Sequence, residues 1–253
     1  MMNASRKSGL VLSVLGFLPL LFAGCATYQP VPRPVPQLSI LSSNLTERNI
    51  QKFLKQRVKV DFPAVLAIAK VEDPGLDPNV SEDTDEGRQF TLQQLQSTEA
   101  DGWQQLRKVQ GRNFNTVIRR IQYIRPGMLT GRPTLSKLRA AAARLHAPLL
   151  LVYTQEDRFN QGYNDAAAAY WTGVGLLFVP GNSLGYHSVA QAALVDVDTN
   201  VVLATAESQA RREDKVPIIV VDSTRDKMMD ETRAEAIAGL QKNFAKALSE
   251  IER

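Results

Sequence analysis

Cysteine and histidine are scarce in this sequence, and their scarcity excludes several classes of site. The 253 residues include one cysteine, Cys25, and two histidines, His146 and His187. One cysteine cannot form an intrachain disulfide or a Cys-based zinc site, and two histidines leave little for a His-rich metal centre. We therefore expect no metal and no cofactor.

A strong net charge is also lacking. The chain has 30 Lys and Arg residues against 26 Asp and Glu residues, which gives a net charge of +4. Such a small excess gives no reason to expect a nucleic-acid partner. With 44% hydrophobic and 22% charged residues, the composition is typical of a globular protein.

The apolar run near the N-terminus is too short to be a permanent membrane span. Arg6 and Lys7 precede an apolar stretch at residues 10–23. As a helix, this stretch would cover roughly 20 Å of a hydrocarbon core about 30 Å thick. A basic segment followed by such a run is typical of a signal peptide, which we predict over residues 1–24.

The end of the signal peptide, residues 21–25 (LFAGC), resembles the lipobox of bacterial lipoproteins. The resemblance implies that Cys25 carries the acyl lipid, palmitate included, and becomes the first residue of the mature chain. Ala26 follows the cysteine, and the absence of Asp at this position resembles the pattern of lipoproteins sent to the Gram-negative outer membrane. We therefore expect an outer-membrane protein anchored by lipid and facing the periplasm. The alternative is an ordinary cleaved signal followed by an accidental cysteine.

A proline-rich segment follows the cysteine. Residues 25–38 contain prolines at positions 30, 32, 34 and 36, and this density favours an extended polyproline helix of roughly 40 Å. We expect a linker that holds the folded part off the membrane. A ligand for an aromatic groove is the alternative.

Residues 39–253 alternate between helical and strand patterns, which predicts one α/β domain with a mixed sheet and flanking helices. A helix capped by Thr134 separates two of the strands, and this spacing implies parallel pairing. A turn at residues 198–200 predicts a hairpin. The predicted strands are 64–71, 117–124, 149–153, 166–179, 188–197 and 201–206. The remaining helices are 46–55, one starting near Ser223, and one on which Leu92, Leu95, Trp103, Leu106 and Val109 lie near one face.

Charge is segregated along the domain. Residues 72–86 hold acids and no base, whereas the tract from Arg107 to Arg144 holds bases and no acid. The basic tract, with Arg119 and Arg120 as candidate interaction residues, fits an anionic polymer or lipid of the cell envelope. Alternatively, the acidic loop folds back and neutralises it. The acidic loop does not fit an EF-hand, because Glu82 stands where the turn needs glycine.

No catalytic constellation is recognisable in the sequence. His146 and His187 are the available histidine bases for a serine nucleophile, and neither lies in a known catalytic motif. A pair of glycosidase carboxylates has no sequence signature, so an envelope hydrolase stays open as the alternative function. We assign no catalytic residues.

Part of the chain resembles a known bacterial family. The segments that carry the resemblance are residues 170–175 (YWTGVG), 179–182 (VPGN), 192–197 (AALVDV) and 201–204 (VVLA). They are similar to rhombotarget lipoproteins, a name that implies no activity. In element order the chain is also similar to the α/β domains of curli-secretion lipoproteins and of lipoprotein activators of penicillin-binding proteins. That similarity implies a lipid-anchored domain that recognises a protein partner or assembles with itself.

These observations favour a non-enzymatic adaptor or assembly factor for another envelope protein. Tyr170 and Trp171 are the candidate contact residues. On the predicted strand 166–179, adjacent rings would point to opposite faces, so we expect one ring in the core and the other available to a partner or to a second copy of the chain.

Overall fold

A computed structural model describes residues 28–34, 55, 60–72, 90–111, 116–131 and 133–251. The signal peptide 1–24, Cys25, the acidic loop beyond Glu72 and all of helix 46–55 except the helical Lys55 lie outside the described residues. The strands are β1 (Ala64–Glu72), β2 (Thr91–Gln93), β3 (Ile118–Tyr123), β4 (Leu149–Tyr163), β5 (Asn182–Asp196) and β6 (Val202–Val216). The α-helices are α1 (Ser97–Gln104), α2 (Leu135–Arg144), α3 (Gly175–Phe178) and α4 (Val221–Ile251), and 3-10 helices occupy Gln105–Lys108, Asp165–Thr172 and Ile218–Val220.

The six strands form one mixed sheet in the order β2-β1-β4-β5-β6, with β3 also paired to β1. The predicted α/β fold with a mixed sheet and flanking helices is thereby confirmed. β1 pairs in parallel with β3 and β4 and antiparallel with β2. Its nearly continuous apolar sequence explains this central place, because a strand buried on both faces has no polar side to show to water.

The described residues group into two compact units. The small unit contains residues 28–31, 159–185 and 213–228, and the large unit contains the described parts of 32–158, 186–212 and 229–253.

In the large unit, alternate residues of β1 enter two apolar layers, because successive side chains of a strand point to opposite faces. Leu66 and Ile68 pack with Trp103 of α1 and with the apolar stripe of α4. Val65, Ala67 and Ala69 pack with α2. The members of the α4 stripe are buried as their helical spacing predicts, and they are Ile237, Leu240, Phe244 and Leu248.

A capping residue and a turn define two boundaries of the helices and strands. The hydroxyl oxygen of Thr134 accepts a hydrogen bond from the amide of Lys137 at 3.3 Å, which confirms the predicted cap of α2. The predicted turn between β5 and β6 is also confirmed. Asn200 has φ +62°, and Asp196 Oδ1 accepts from the amides of Asp198 and Thr199 at 2.9 and 3.3 Å.

The predicted strand 166–179 is wrong. The chain instead forms the 3-10 helix Asp165–Thr172 and then α3. Asn164 caps the 3-10 helix, since its side-chain oxygen accepts from the amide of Ala166 at 2.9 Å. The alanines that follow have low strand propensity, and Gly173 turns the chain at φ +69°. These local preferences override the apolar composition from which the strand was predicted.

Residues 28–31 belong to the small unit and pack there. Val31 is buried, and Tyr28 lies against Gly162, where an added Cβ would be 3.3 Å from the tyrosine Cα. Gly185 is needed for close approach, because a Cβ there would overlap Tyr28 and Val31. Residues 28–31 of the predicted linker are therefore docked on the small unit.

Candidate functional site

The large unit contains a polar cleft of about 930 Å³. Side chains reach it from β1, β2, β4, α1 and α4, so regular elements position most of its wall. The lining residues are Lys70, Gln93, Gln94, Gln96, Thr98, Glu99, Gln155, Asp157, Asp230, Arg233, Ala234, Ile237, Ala238 and Gln241.

A buried ion pair lies at the cleft. Lys70 Nζ is 2.6 Å from Glu99 Oε1, and the two side chains are 9% and 10% exposed. Glu99 Oε2 accepts hydrogen bonds from the backbone N–H of Gln96 at 3.1 Å and from the Tyr153 hydroxyl at 3.4 Å. The sheet explains the meeting of these groups, because Lys70 of β1 is in register with Tyr153 of β4. Both carboxylate oxygens of Glu99 are thus engaged.

Tyr153 is fixed as a neutral hydrogen-bond donor. Burial, followed by the negative charge of Glu99, raises the pKa of its phenol above the ordinary value of 10.0. Its ring packs against Trp103 with 5.2 Å between centroids, and Lys70 Nζ lies 6.0 Å from the ring centroid. The tyrosine therefore anchors the ion pair to the core.

A second ion pair forms another part of the wall. Arg233 Nε donates to Asp157 Oδ2 at 2.6 Å, and the guanidinium lies 5.9 Å from the centre of the Tyr186 ring. Burial, followed by the Asp157 charge, raises the pKa of Tyr186. Asp157 Oδ1 is buried and has no hydrogen-bond partner among the described residues.

Amide side chains supply most of the remaining polar surface. Glutamines 93, 94, 96, 155 and 241 line the cleft, and each amide can both donate and accept hydrogen bonds. Three of them are already oriented by hydrogen bonds: Gln93 Nε2 donates to Glu72 Oε2 at 3.2 Å, Gln155 Nε2 to Ser188 Oγ at 2.9 Å, and Gln241 Nε2 to the Glu99 carbonyl at 3.0 Å. The cleft therefore combines neutral hydrogen-bonding groups with two ion pairs, Lys70–Glu99 and Arg233–Asp157, and with the carboxylate of Asp230.

The sequence did not identify this cleft. The sequence does mark one residue of the cleft, Lys70, because it is the single charged residue in the apolar stretch 64–71. A buried charge requires a partner. Nothing in the sequence named Glu99 as that partner, since the two are separated by 29 positions. The glutamines give no chemical motif.

The predicted contact pair lies in the small unit. Tyr170 is half-buried; its hydroxyl accepts from Asn182 Nδ2 at 2.8 Å, and its ring lies 6.4 Å from that of Tyr163. Trp171 is 88% exposed. The two rings thus differ in exposure, but they do so on a 3-10 helix and not across a strand.

Further exposed apolar side chains accompany Trp171, and the sequence analysis did not name them as a surface. Val174 lies between the 3-10 helix and α3, and α3 packs against the 3-10 helix Ile218–Val220. We call the resulting surface the apolar face, and its members are Trp171, Val174, Leu177, Phe178, Ile218 and Ile219.

Arg119 and Arg120 are exposed on β3 and do not line the cleft. Another member of the basic tract has a structural role: Arg139 donates to the Val197 carbonyl through Nε at 2.9 Å and through Nη2 at 2.6 Å. The basic tract is therefore not a uniform binding surface.

The described ranges contain neither a candidate metal site nor a candidate membrane-spanning helix. No group of three or more His, Cys, Asp and Glu side chains in them could hold a metal ion. None of their helices is both long enough and apolar enough to cross a membrane.

Comparison with known proteins gives little. No family profile matches the chain, and no curated protein matches it. Among solved structures, the chain is similar to the PelC dodecamer from Paraburkholderia phytofirmans, with 14% sequence identity, a TM-score of 0.33, and coverage of 78% of this chain and 94% of that one. A likeness of this strength carries no argument about function.

Proposed function

We propose that the chain is a lipid-anchored envelope protein that acts as a non-enzymatic adaptor or assembly factor for another envelope protein. In this proposal Cys25 carries the lipid, at the outer membrane, and the large unit faces the periplasm. The resemblance to rhombotarget lipoproteins is part of the same proposal. The cleft is the observation that carries the adaptor role.

The pairing of charges in the cleft supports binding over catalysis. A general base or nucleophile needs an available lone pair. Glu99 is engaged by Lys70, by the Gln96 amide and by the Tyr153 hydroxyl. Asp157 is engaged through Oδ2 by Arg233, while its Oδ1 is buried and has no hydrogen-bond partner among the described residues. Glu99, with both oxygens engaged, is better suited to shaping a surface than to transferring a proton.

The glutamines support a segment of polypeptide as the bound group. Peptide N–H and C=O groups alternate along an extended chain, and each must be satisfied when it leaves water. Amide side chains can pair with both kinds of group. A wall of glutamines therefore suits an extended segment of a partner protein and does not require the segment to be charged.

Site-specific photocrosslinking in the full-length protein tests this proposal. A photoreactive amino acid at Ala238, an exposed position of α4 in the cleft wall, should give a discrete adduct with an envelope protein. The substitution Ala234→Arg introduces a long side chain into the cleft and should abolish that adduct.

The matched controls use α2. The photoreactive residue at Ala143, an exposed alanine outside the cleft lining, should give no such adduct, and Ala140→Arg should leave the Ala238 adduct unchanged. The adaptor proposal fails if Ala238 gives no protein adduct, or if Ala143 gives the same adduct with equal yield.

A further inference from the structure

The apolar face of the small unit consists of large hydrophobic side chains that are exposed to solvent. Trp171 is 88% exposed, Phe178 74%, Val174 64% and Ile219 62%. Large apolar side chains that are grouped and accessible mark a surface that contacts a partner or a membrane. Tryptophan and phenylalanine are also the residues by which peripheral proteins enter the boundary between lipid headgroups and acyl chains.

The chain between Cys25 and the small unit is short. Tyr28 follows Cys25 by three positions, and three extended residues reach at most about 11 Å. Tyr28 is itself packed against Gly162 and Gly185 of the small unit. A lipid on Cys25 would therefore hold the small unit at the bilayer surface.

Contacts inside the small unit lead from Tyr28 towards the apolar face. Tyr28 packs on Gly162, the next residue is Tyr163, and the ring of Tyr163 packs on that of Tyr170. Trp171 follows Tyr170 directly. The docked N-terminal segment and the exposed tryptophan thus belong to one packed structure and not to the two ends of a flexible chain.

We propose that the apolar face inserts into the interfacial layer of the bilayer that holds the Cys25 lipid. The inference rests on the proposed anchor and adds a second, non-covalent contact to it.

The contact does not depend on anionic lipid. Residues 159–185 of the small unit contain no Lys or Arg, whereas residues 213–228 contain Lys215, Arg225 and Lys227. Insertion is driven by the apolar side chains, and salt screens only charge interactions. A neutral bilayer should therefore be contacted, at low and at high salt.

The two tryptophans allow a direct test. The full-length lipidated protein is reconstituted into phosphatidylcholine vesicles with brominated acyl chains, which quench tryptophan emission on contact. Trp171 is exposed, whereas Trp103 is fully buried. We expect quenching to remove about half of the emission of the wild type, because an interfacial tryptophan meets the acyl chains. Trp171→Phe should abolish the quenching.

A matched pair of substitutions tests the face as a surface. Val174→Asp places a carboxylate in the face and should lower the quenching of Trp171 severalfold, because a charge is costly to bury in the acyl layer. Val202→Asp changes an exposed valine of β6 in the large unit and should leave the quenching unchanged. Equal effects of the two changes would overturn the proposal.

The outcomes also separate this inference from the proposed anchor. Vesicle-bound protein with acylated Cys25 and an unquenched Trp171 would refute the inference and leave the anchor standing. An unacylated Cys25 would refute the anchor and, with it, the inference. In the absence of vesicles, Trp171 could instead become shielded from solvent to a degree that increases with protein concentration. That result would show that the face contacts a second copy of the chain, and it would overturn the lipid contact.

Discussion

At the scale of single residues, Lys70 and Glu99 are the most consequential pair described. An ion pair at 2.6 Å with both side chains about nine-tenths buried has lost most of its hydration. Its Coulomb attraction and its hydrogen bonds must offset that loss. The pair therefore gives little net stability, but each member depends strongly on the other.

Removing one charge should be much worse than removing both. We expect Lys70→Met to lower the free energy of unfolding by about 3–5 kcal/mol, because it leaves the Glu99 carboxylate buried without its cation. The double variant Lys70→Met/Glu99→Gln should recover most of that loss, since the oxygen of the introduced side-chain amide can still accept a hydrogen bond from the backbone N–H of Gln96. Urea unfolding of the wild type, both single variants and the double variant measures the coupling. Additive effects would show that the two groups do not interact.

At the scale of elements, the β5–β6 turn shows how one residue closes a hairpin. The Asn200 amide donates to the Asp196 carbonyl at 2.9 Å, and this requires the left-handed backbone at φ +62°. Asparagine tolerates that region better than other residues with a Cβ, and glycine tolerates it best. The turn is therefore specified locally.

Substitution at Asn200 should separate backbone from side-chain effects. Asn200→Ala should cost about 1 kcal/mol of unfolding free energy, because alanine is strained at positive φ. Asn200→Gly should cost distinctly less, since glycine adopts this conformation without strain. Thermal or urea unfolding of the three proteins gives the order. Equal losses for both variants would instead assign the effect to the asparagine side chain.

The elements that could be predicted are those that local signals define. Thr134 marks the start of α2, the turn at 198–200 marks a hairpin, and the apolar run 64–71 marks a central strand. The predictions for β4 and β6 stopped at Tyr153 and Ala206, whereas the strands continue to Tyr163 and Val216. Their later halves are mostly polar and only partly buried, so apolar alternation could not reveal them. The cleft required contacts between residues distant in the chain, and a single sequence does not record such contacts.

At the scale of the whole molecule, the N-terminal segment is held at two places, by the proposed lipid anchor and by its packing in the small unit. The lipid would attach at Cys25, while Tyr28 and Val31 are packed in the small unit. Little chain is left between lipid and protein. A protein held so close to its lipid can adopt fewer orientations at the membrane than a protein on a long flexible tether.

Acylation itself can be tested without ambiguity, because the chain has one cysteine. Cys25→Ser should abolish incorporation of labelled palmitate and block processing of the lipoprotein precursor, since serine offers no thiol for the thioether. Metabolic labelling followed by intact-mass measurement checks both effects. Cys25→Ala serves as a second variant without a thiol and should behave in the same way. The same acylated mature species from the serine variant would show that Cys25 is not the anchor.

The position of β6 in the sheet bears on solubility. β6 is at the end of the strand order, with β5 as its neighbour, and an edge strand of 15 residues offers backbone groups to which another chain can add. Five consecutive charged residues, 211–215, occupy its later half, and charge at an edge opposes the addition of a further strand. The same strand that completes the fold is thus protected against edge-to-edge aggregation.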